Sequence, residues 1–106
     1  MVTTEVPEDG RAGADGALLY QSLPNPSGPL TTITYRLDRS GPVSLQLFDA
    51  AGRLLSTLQN GQQEPGLHRV RWDGTDETGR QLPSGVYFYR IDTAGGVESR
   101  KLLLAR

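Results

Sequence analysis

The 106-residue chain has the length of one ordinary domain and can bury one hydrophobic core, not two. It contains no cysteine, which excludes disulfide stapling, thiolate nucleophiles and thiolate-bound metals. Its formal net charge is −1 and it has no long basic run, which argues against nucleic acid as the main partner, because phosphate binding needs a concentrated positive field. Residues 1–17 scatter Glu5, Glu8, Asp9 and Asp15 among Gly and Ala without periodicity and read as a flexible acidic, glycine-rich linker. They hold no apolar segment of the kind a signal peptide needs. No run of about 18 apolar residues occurs anywhere, so membrane insertion is not expected. A role outside the cytoplasm would make this chain part of a longer polypeptide whose signal lies upstream of Met1.

Residues 18–106 read as one all-β module. Thirteen glycines and seven prolines supply the turns that many short strands require. The first strand spans Leu18 to Leu23 and is broken by Pro24-Asn25-Pro26-Ser27-Gly28-Pro29, since three prolines cannot sit inside a ladder. Thr31 to Leu37 alternates, with Ile33, Tyr35 and Leu37 inward and Thr32, Thr34 and Arg36 outward. Ser40-Gly41-Pro42 turns into Val43 to Phe48, with Val43, Leu45 and Leu47 inward. Asp49-Ala50-Ala51-Gly52 is a hairpin connection to a strand over Arg53 to Leu58. Asn60-Gly61 and Glu64-Pro65-Gly66 are further turn signals. Leu67 to Trp72 places His68, Val70 and Trp72 inward and Arg69 and Arg71 outward. Val86 to Asp92 carries Tyr87, Tyr89 and Ile91 on one face and Val86 and Phe88 on the other, which marks it as central in its sheet or covered. Ala94-Gly95-Gly96 turns into a last strand, Val97 to Leu104. No stretch sustains a helical period, so little or no helix is expected. Seven antiparallel strands over one core specify an immunoglobulin-like β-sandwich. Function does not follow from that architecture alone.

The side chains that could carry chemistry each have a plainer reading beside them. Asp73, Asp76 and Glu77, interleaved with Gly74 and Gly79, are the best candidates for a hard cation such as Ca²⁺, which takes six or more oxygens. Against that, the spacing departs from the EF-hand loop, and such carboxylates also cap local N–H groups in tight turns. No resident cofactor is expected. His68, the single histidine, shares a face with Val70 and Trp72 and reads as a core-edge residue whose ring meets backbone groups. Ser84-Gly85 lacks the flanking glycine and the helix of a nucleophile elbow. Trp72, Tyr87, Tyr89 and Phe88 could stack on sugars, but Trp72 and Tyr87 fit a sandwich interior with their N–H and O–H partnered. Phe88, if exposed, marks a contact surface. Arg90, Arg100, Lys101, Leu103 and Arg106 gather near the last strands. The four cations could meet a partner's acids, or serve as solvated edge charges, with Leu103 as the apolar member of the same contact set. A terminal strand with unpaired N–H groups can also extend a partner's sheet.

Five stretches, in order, resemble one bacterial module. They are Asn25-Pro26 with Thr31-Thr32-Ile33-Thr34-Tyr35, then Leu47-Phe48-Asp49-Ala50-Ala51-Gly52-Arg53, then Gly66, His68, Trp72-Asp73-Gly74 and Asp76 with Gly79-Arg80, then Ser84 to Arg90, and finally Arg100 to Leu104. Over residues 19 to 106 the chain is similar to the FlgD-like immunoglobulin domain and to the C-terminal sorting domain of type IX secretion cargo. Ser27 stands where members often carry an aromatic ring, a departure that bears on any docking role of that ring and not on the fold. The resemblance implies a module without catalytic activity at the end of a larger exported protein, secreted or at the cell surface after passing the periplasm. Its partners would be an outer-membrane secretion protein and the upstream domain of its own polypeptide. In flagellar relatives a similar domain belongs to the hook-cap scaffold. A carbohydrate-binding or adhesive module is the remaining alternative.

Overall fold

A computed structural model describes residues 17–24 and 30–105. They form seven strands and no helix: β1 (Ala17–Leu19), β2 (Thr31–Leu37), β3 (Gly41–Asp49), β4 (Leu54–Gln63), β5 (Gly66–Trp72), β6 (Gly85–Thr93) and β7 (Gly96–Leu104). Two antiparallel sheets result, a three-stranded one in the order β1-β2-β5 and a four-stranded one in the order β4-β3-β6-β7. The expected sandwich is therefore the fold. The sequence-predicted linker over 1–17 lies almost wholly outside the described residues, as do Asn25 to Pro29 and Arg106.

Alternation builds the core. Ile33, Tyr35 and Leu37 of β2 face Val43, Leu45 and Leu47 of β3, with Tyr87, Tyr89 and Ile91 of β6 and Leu102 and Leu104 of β7 closing the interior. Leu19, Trp72 and Leu82 complete it, and Leu55, Leu58 and Val70 pack at its margin. On β5 the expected inward face holds, but only Trp72 is fully buried, with His68 and Val70 half-buried at the sheet edge. β6 lies between β3 and β7, the central position its double-sided apolar pattern implies.

Two strands differ from the sequence expectation, and bulges are the cause in both. The expected strand over Leu18 to Leu23 stops at Leu19. Leu19 pairs with Tyr35 while Leu23 bridges Thr32, so three residues, Tyr20 to Ser22, oppose two. The extra residue breaks the ladder and leaves backbone groups to satisfy. The Tyr89 hydroxyl meets two of them from the opposite sheet. It accepts from the Ser22 N–H at 2.7 Å and donates to the Tyr20 carbonyl at 2.8 Å.

The second is β4, which starts at Leu54 and continues to Gln63, straight through the Asn60-Gly61 pair read as a turn. The β3–β4 register shifts twice, leaving Leu58 and Leu55 without a partner opposite. The two bulges bring leucines three residues apart onto the core side, an arrangement that period-two reading cannot find. Gly61, at φ +138°, carries the strand through a conformation that disfavours a side chain.

Candidate functional site

The outer face of the four-stranded sheet gathers most of the sequence-predicted contact residues. Directly opposed residues point to one side of a sheet. Register places Phe48, Phe88 and Lys101 in one row and Gln46, Arg90 and Ser99 in the next. Val86 and Leu103 form a further pair. Val86, Phe88 and Leu103 are 38, 37 and 38% exposed, unusual for large apolar side chains this close together. Leu54, opposite Phe48 on β4, extends the patch and is also exposed. A shallow depression of about 370 Å³ opens between Phe48, Phe88, Arg90 and Ser99 and the Asp49–Gly52 turn.

Arg90 organises this face. Its guanidinium lies 4.9 Å from the centre of the Phe48 ring, donates to Gln46 Oε1 at 3.3 Å, and sits 3.2 Å from Asp92 Oδ1. The Asp92 contact is poorly aligned for a hydrogen bond and acts as an ion pair. A guanidinium stacked on a ring covers it while leaving a charged rim, so the patch is apolar at its centre and cationic at its border. Lys101 stands at the other end of the Phe48–Phe88 row with its side chain exposed.

Arg100 lies elsewhere. It is in phase with the buried Leu102 and Leu104, on the inner side of β7, and donates through Nε to the Leu19 carbonyl at 2.8 Å. The Gln21 amide donates to the Lys101 carbonyl at 2.9 Å. Together these contacts tie the β1 segment along β7, so the middle of the last strand's outer edge is already engaged. The alternation Arg100-Lys101-Leu102-Leu103-Leu104 contained the signal that separates Arg100 from Lys101 and Leu103. Phe48 and Leu54 join the face through pairing register, which a single sequence does not display, while Val86 joins it by alternation with Phe88 along β6.

The acidic loop after β5 is organised around itself. Asp76 Oδ1 accepts from the Thr78 N–H, the Thr78 hydroxyl and the Arg80 N–H, and Oδ2 pairs with Arg80 Nε at 3.3 Å. These contacts, the Thr78 hydroxyl first, hold its carboxyl below the usual aspartate value. Asp73 accepts from the Thr75 hydroxyl. Among the described residues no three His, Asp or Glu side chains converge as a metal site would require. The carboxylates of Asp73 and Asp76 are engaged in these local contacts of the turn.

The same turn occurs twice. Asp49-Ala50-Ala51-Gly52-Arg53 and Asp76-Glu77-Thr78-Gly79-Arg80 share an Asp-x-x-Gly-Arg pattern. In each, the aspartate N–H donates to the arginine carbonyl, the glycine N–H donates to the aspartate carbonyl, and the carboxylate accepts from the arginine N–H. In each, the arginine side chain returns to the carboxylate. The glycines adopt φ +88° and +90°, where a Cβ is disfavoured. The second turn docks on the first hairpin through the Glu77 N–H and the carbonyl of bulged Leu55 at 3.1 Å.

The other aromatic groups are structural. Trp72 donates to the Thr75 carbonyl at 2.8 Å and meets Tyr87 edge-on at 6.1 Å, while Tyr87 donates to the Pro83 carbonyl at 2.6 Å. His68 stacks on Tyr35 at 5.1 Å, and its Nε2 donates to the Glu64 carbonyl at 2.7 Å. Burial pushes the Tyr89 phenol up to about 12.

Comparison with known proteins gives the geometry its context. Residues 27–96 match the family model of the FlgD Ig-like domain. Over 54 residues the chain is 33% identical to the basal-body rod modification protein FlgD of Salmonella typhimurium, an alignment spanning 51% of this chain and 23% of that protein. Dimeric latent PorU from Porphyromonas gingivalis superposes with a TM-score of 0.69 at 20% identity, covering 88% of this chain and 10% of PorU, which is a likeness of fold. PorZ, described as an essential surface component of the type IX secretion system of the same organism, superposes with a TM-score of 0.58 at 26% identity, over 83% of this chain and 11% of PorZ. The chain thus corresponds to a small part of each of these larger proteins.

Proposed function

The chain belongs to the FlgD Ig-like domain family, and on that premise we propose that it is a C-terminal sorting module, without catalysis, of a larger exported bacterial protein, recognised by the type IX secretion machinery. The observation that carries this reading is the outer face of the four-stranded sheet. Val86, Phe88 and Leu103 form an exposed apolar centre there, with Arg90 and Lys101 at its border. A central aromatic anchor within a polar rim is how protein interfaces concentrate their binding energy. The likeness to PorZ, itself a surface component of that secretion system, supports the assignment of pathway. Within this reading His68, held by Tyr35 and a carbonyl, and Asp76, held by its own turn, serve the fold.

A second reading, a structural scaffold domain of flagellar hook-cap type, draws on the identity to FlgD. Both readings place the domain in an exported or surface protein. The carbohydrate-binding alternative is weakened because Trp72 and Tyr87 are only 3 and 6% exposed and offer no stacking platform. The test is to fuse residues 18–106 to a reporter behind a signal peptide in a bacterium with a working type IX system. Surface delivery of the reporter is expected. A reporter left in the periplasm would reject the sorting role and favour the scaffold.

A further inference from the structure

The outer face of the three-stranded sheet has a different chemistry from the apolar patch. β2 contributes Thr32, Thr34 and Arg36, and β5 contributes Leu67, Arg69 and Arg71. Register sets Thr32 beside Arg71, Thr34 beside Arg69 and Arg36 beside Leu67. All three arginines are exposed, and none has an ion pair or side-chain hydrogen bond among the described residues. Arg53, Arg80 and Arg90, by contrast, each have a carboxylate partner. The net charge of −1 therefore hides a segregated positive face. β5 is also the end strand of its sheet, with β2 on one side and no strand paired to its other edge among the described residues.

We propose that β5 is a docking edge for an extended acidic segment of a partner protein, which adds as a strand beside β5 and sets alternate carboxylates against Arg69 and Arg71. Same-face side chains on a strand repeat at about 6.8 Å, so Arg69 and Arg71 match the repeat of carboxylates two residues apart on an added strand. Directly opposed side chains across a strand pair stand about 5 Å apart, within reach of a fork of guanidinium N–H donors. Arg36, one strand further in, reaches the same side diagonally. The type of cation matters: a planar guanidinium binds a carboxylate through two parallel bonds, which a lysine cannot do.

The number of charges separates this ligand from other polyanions. Nucleic-acid surfaces commonly engage about 6–10 phosphates, and lipid-binding basic clusters about four to eight Lys or Arg. Three arginines fall short of both. An added strand needs fewer charges, because its main-chain hydrogen bonds supply affinity and its side chains supply specificity. Charged edge strands also keep sheets from joining indiscriminately. Positive guards repel basic strands and admit acidic ones, so protection and selection come from the same side chains.

The test uses the whole chain, isotopically labelled, and a synthetic ten-residue peptide alternating Glu and Thr. Saturable shifts at the amides of Leu67 to Arg71 are expected, weakening as salt is raised. Arg69→Glu with Arg71→Glu should reduce affinity at least tenfold without lowering the unfolding temperature. Arg69→Lys with Arg71→Lys should fall between the two, and it decides the matter if the reversal variant fails to fold. A Val97→Asp variant, altered at an exposed position of the four-stranded sheet, should bind as the wild type does. The proposal is overturned by any of four results: no binding, equal binding of a peptide alternating Gln and Thr, shifts on another edge, or tighter binding of a thymidine 15-mer or of phosphatidylglycerol vesicles.

Discussion

Tyr89 shows how one side chain joins sequence irregularity to sheet packing. Its hydroxyl serves two backbone groups that the β1 bulge leaves unpaired, and its ring is wholly buried. Tyr89→Phe leaves both groups unsatisfied, and a loss of about 1–3 kcal/mol is expected in urea unfolding at neutral pH. The same residue gives an alkaline signature. Its phenol is raised from 10.0 to about 12, chiefly by burial, so the folded chain keeps a proton that the unfolded chain releases. Stability is full below about pH 10 and falls between pH 10 and 12, by about 2–3 kcal/mol for this group. Tyr35 is raised by burial as well and acts in the same direction. In Tyr89→Phe the alkaline fall should be shallower than in wild type, which unfolding midpoints measured across that range would show.

Asp49 and Asp76 act at the acid end. Both carboxyls are held below the usual value, Asp49 first by the Arg53 N–H and Asp76 first by the Thr78 hydroxyl. Their contribution is present above the unfolded aspartate value near pH 4 and is lost as pH falls through the lower folded value. Asp76→Ala should therefore lower the urea midpoint at pH 7 and lower it less at pH 2, where the wild-type carboxylate is itself becoming protonated. A difference that stays constant with pH would show that the charge is not what matters.

Among the elements, the paired Asp-x-x-Gly-Arg turns make the cleanest comparison. A Cβ at Gly52 or Gly79 would meet no atom within 4 Å, so any penalty comes from backbone conformation alone. Gly52→Ala and Gly79→Ala should each cost about 1–2 kcal/mol in denaturant unfolding, and Asn at either position should cost less. Legibility followed the same physics. β2 and β3 were readable because their apolar residues alternate without interruption, and β6 and β7 because glycine-bearing turns bound their apolar runs. β1 and β4 were not, because a bulge resets the phase: Leu55 and Leu58 lie three apart, and Asn60-Gly61 sits in mid-strand. Phe88 was legible as an apolar side chain on the outer face because it makes β6 apolar on both faces. Its neighbours Phe48 and Leu54 were not, since they come from strands about 40 and 34 residues earlier in the chain and meet it only through register. The arginine face was hidden for the same reason: Arg36 and Arg69 lie 33 residues apart in sequence and on adjacent strands in space.

At the scale of the whole molecule the sandwich presents two outer faces of unlike character. One is apolar with a cationic border, on the four-stranded sheet; the other is basic and lies beside an edge that pairs with no strand among the described residues, on the three-stranded sheet. The interior between them is closed by Trp72, Tyr87 and Tyr89, whose polar atoms are satisfied internally. This division lets surface chemistry change without disturbing the fold. Substitutions at Phe88 or Leu103 should leave the unfolding temperature within a few degrees of wild type while changing what the domain binds. The decisive measurement is surface delivery of a reporter carrying residues 18–106 with Phe88→Asp and Leu103→Asp, beside the unaltered fusion, in a type IX-competent bacterium. Delivery by the unaltered fusion and its loss in the folded double variant is the expected result; equal delivery by both would contradict the assignment of recognition to that face.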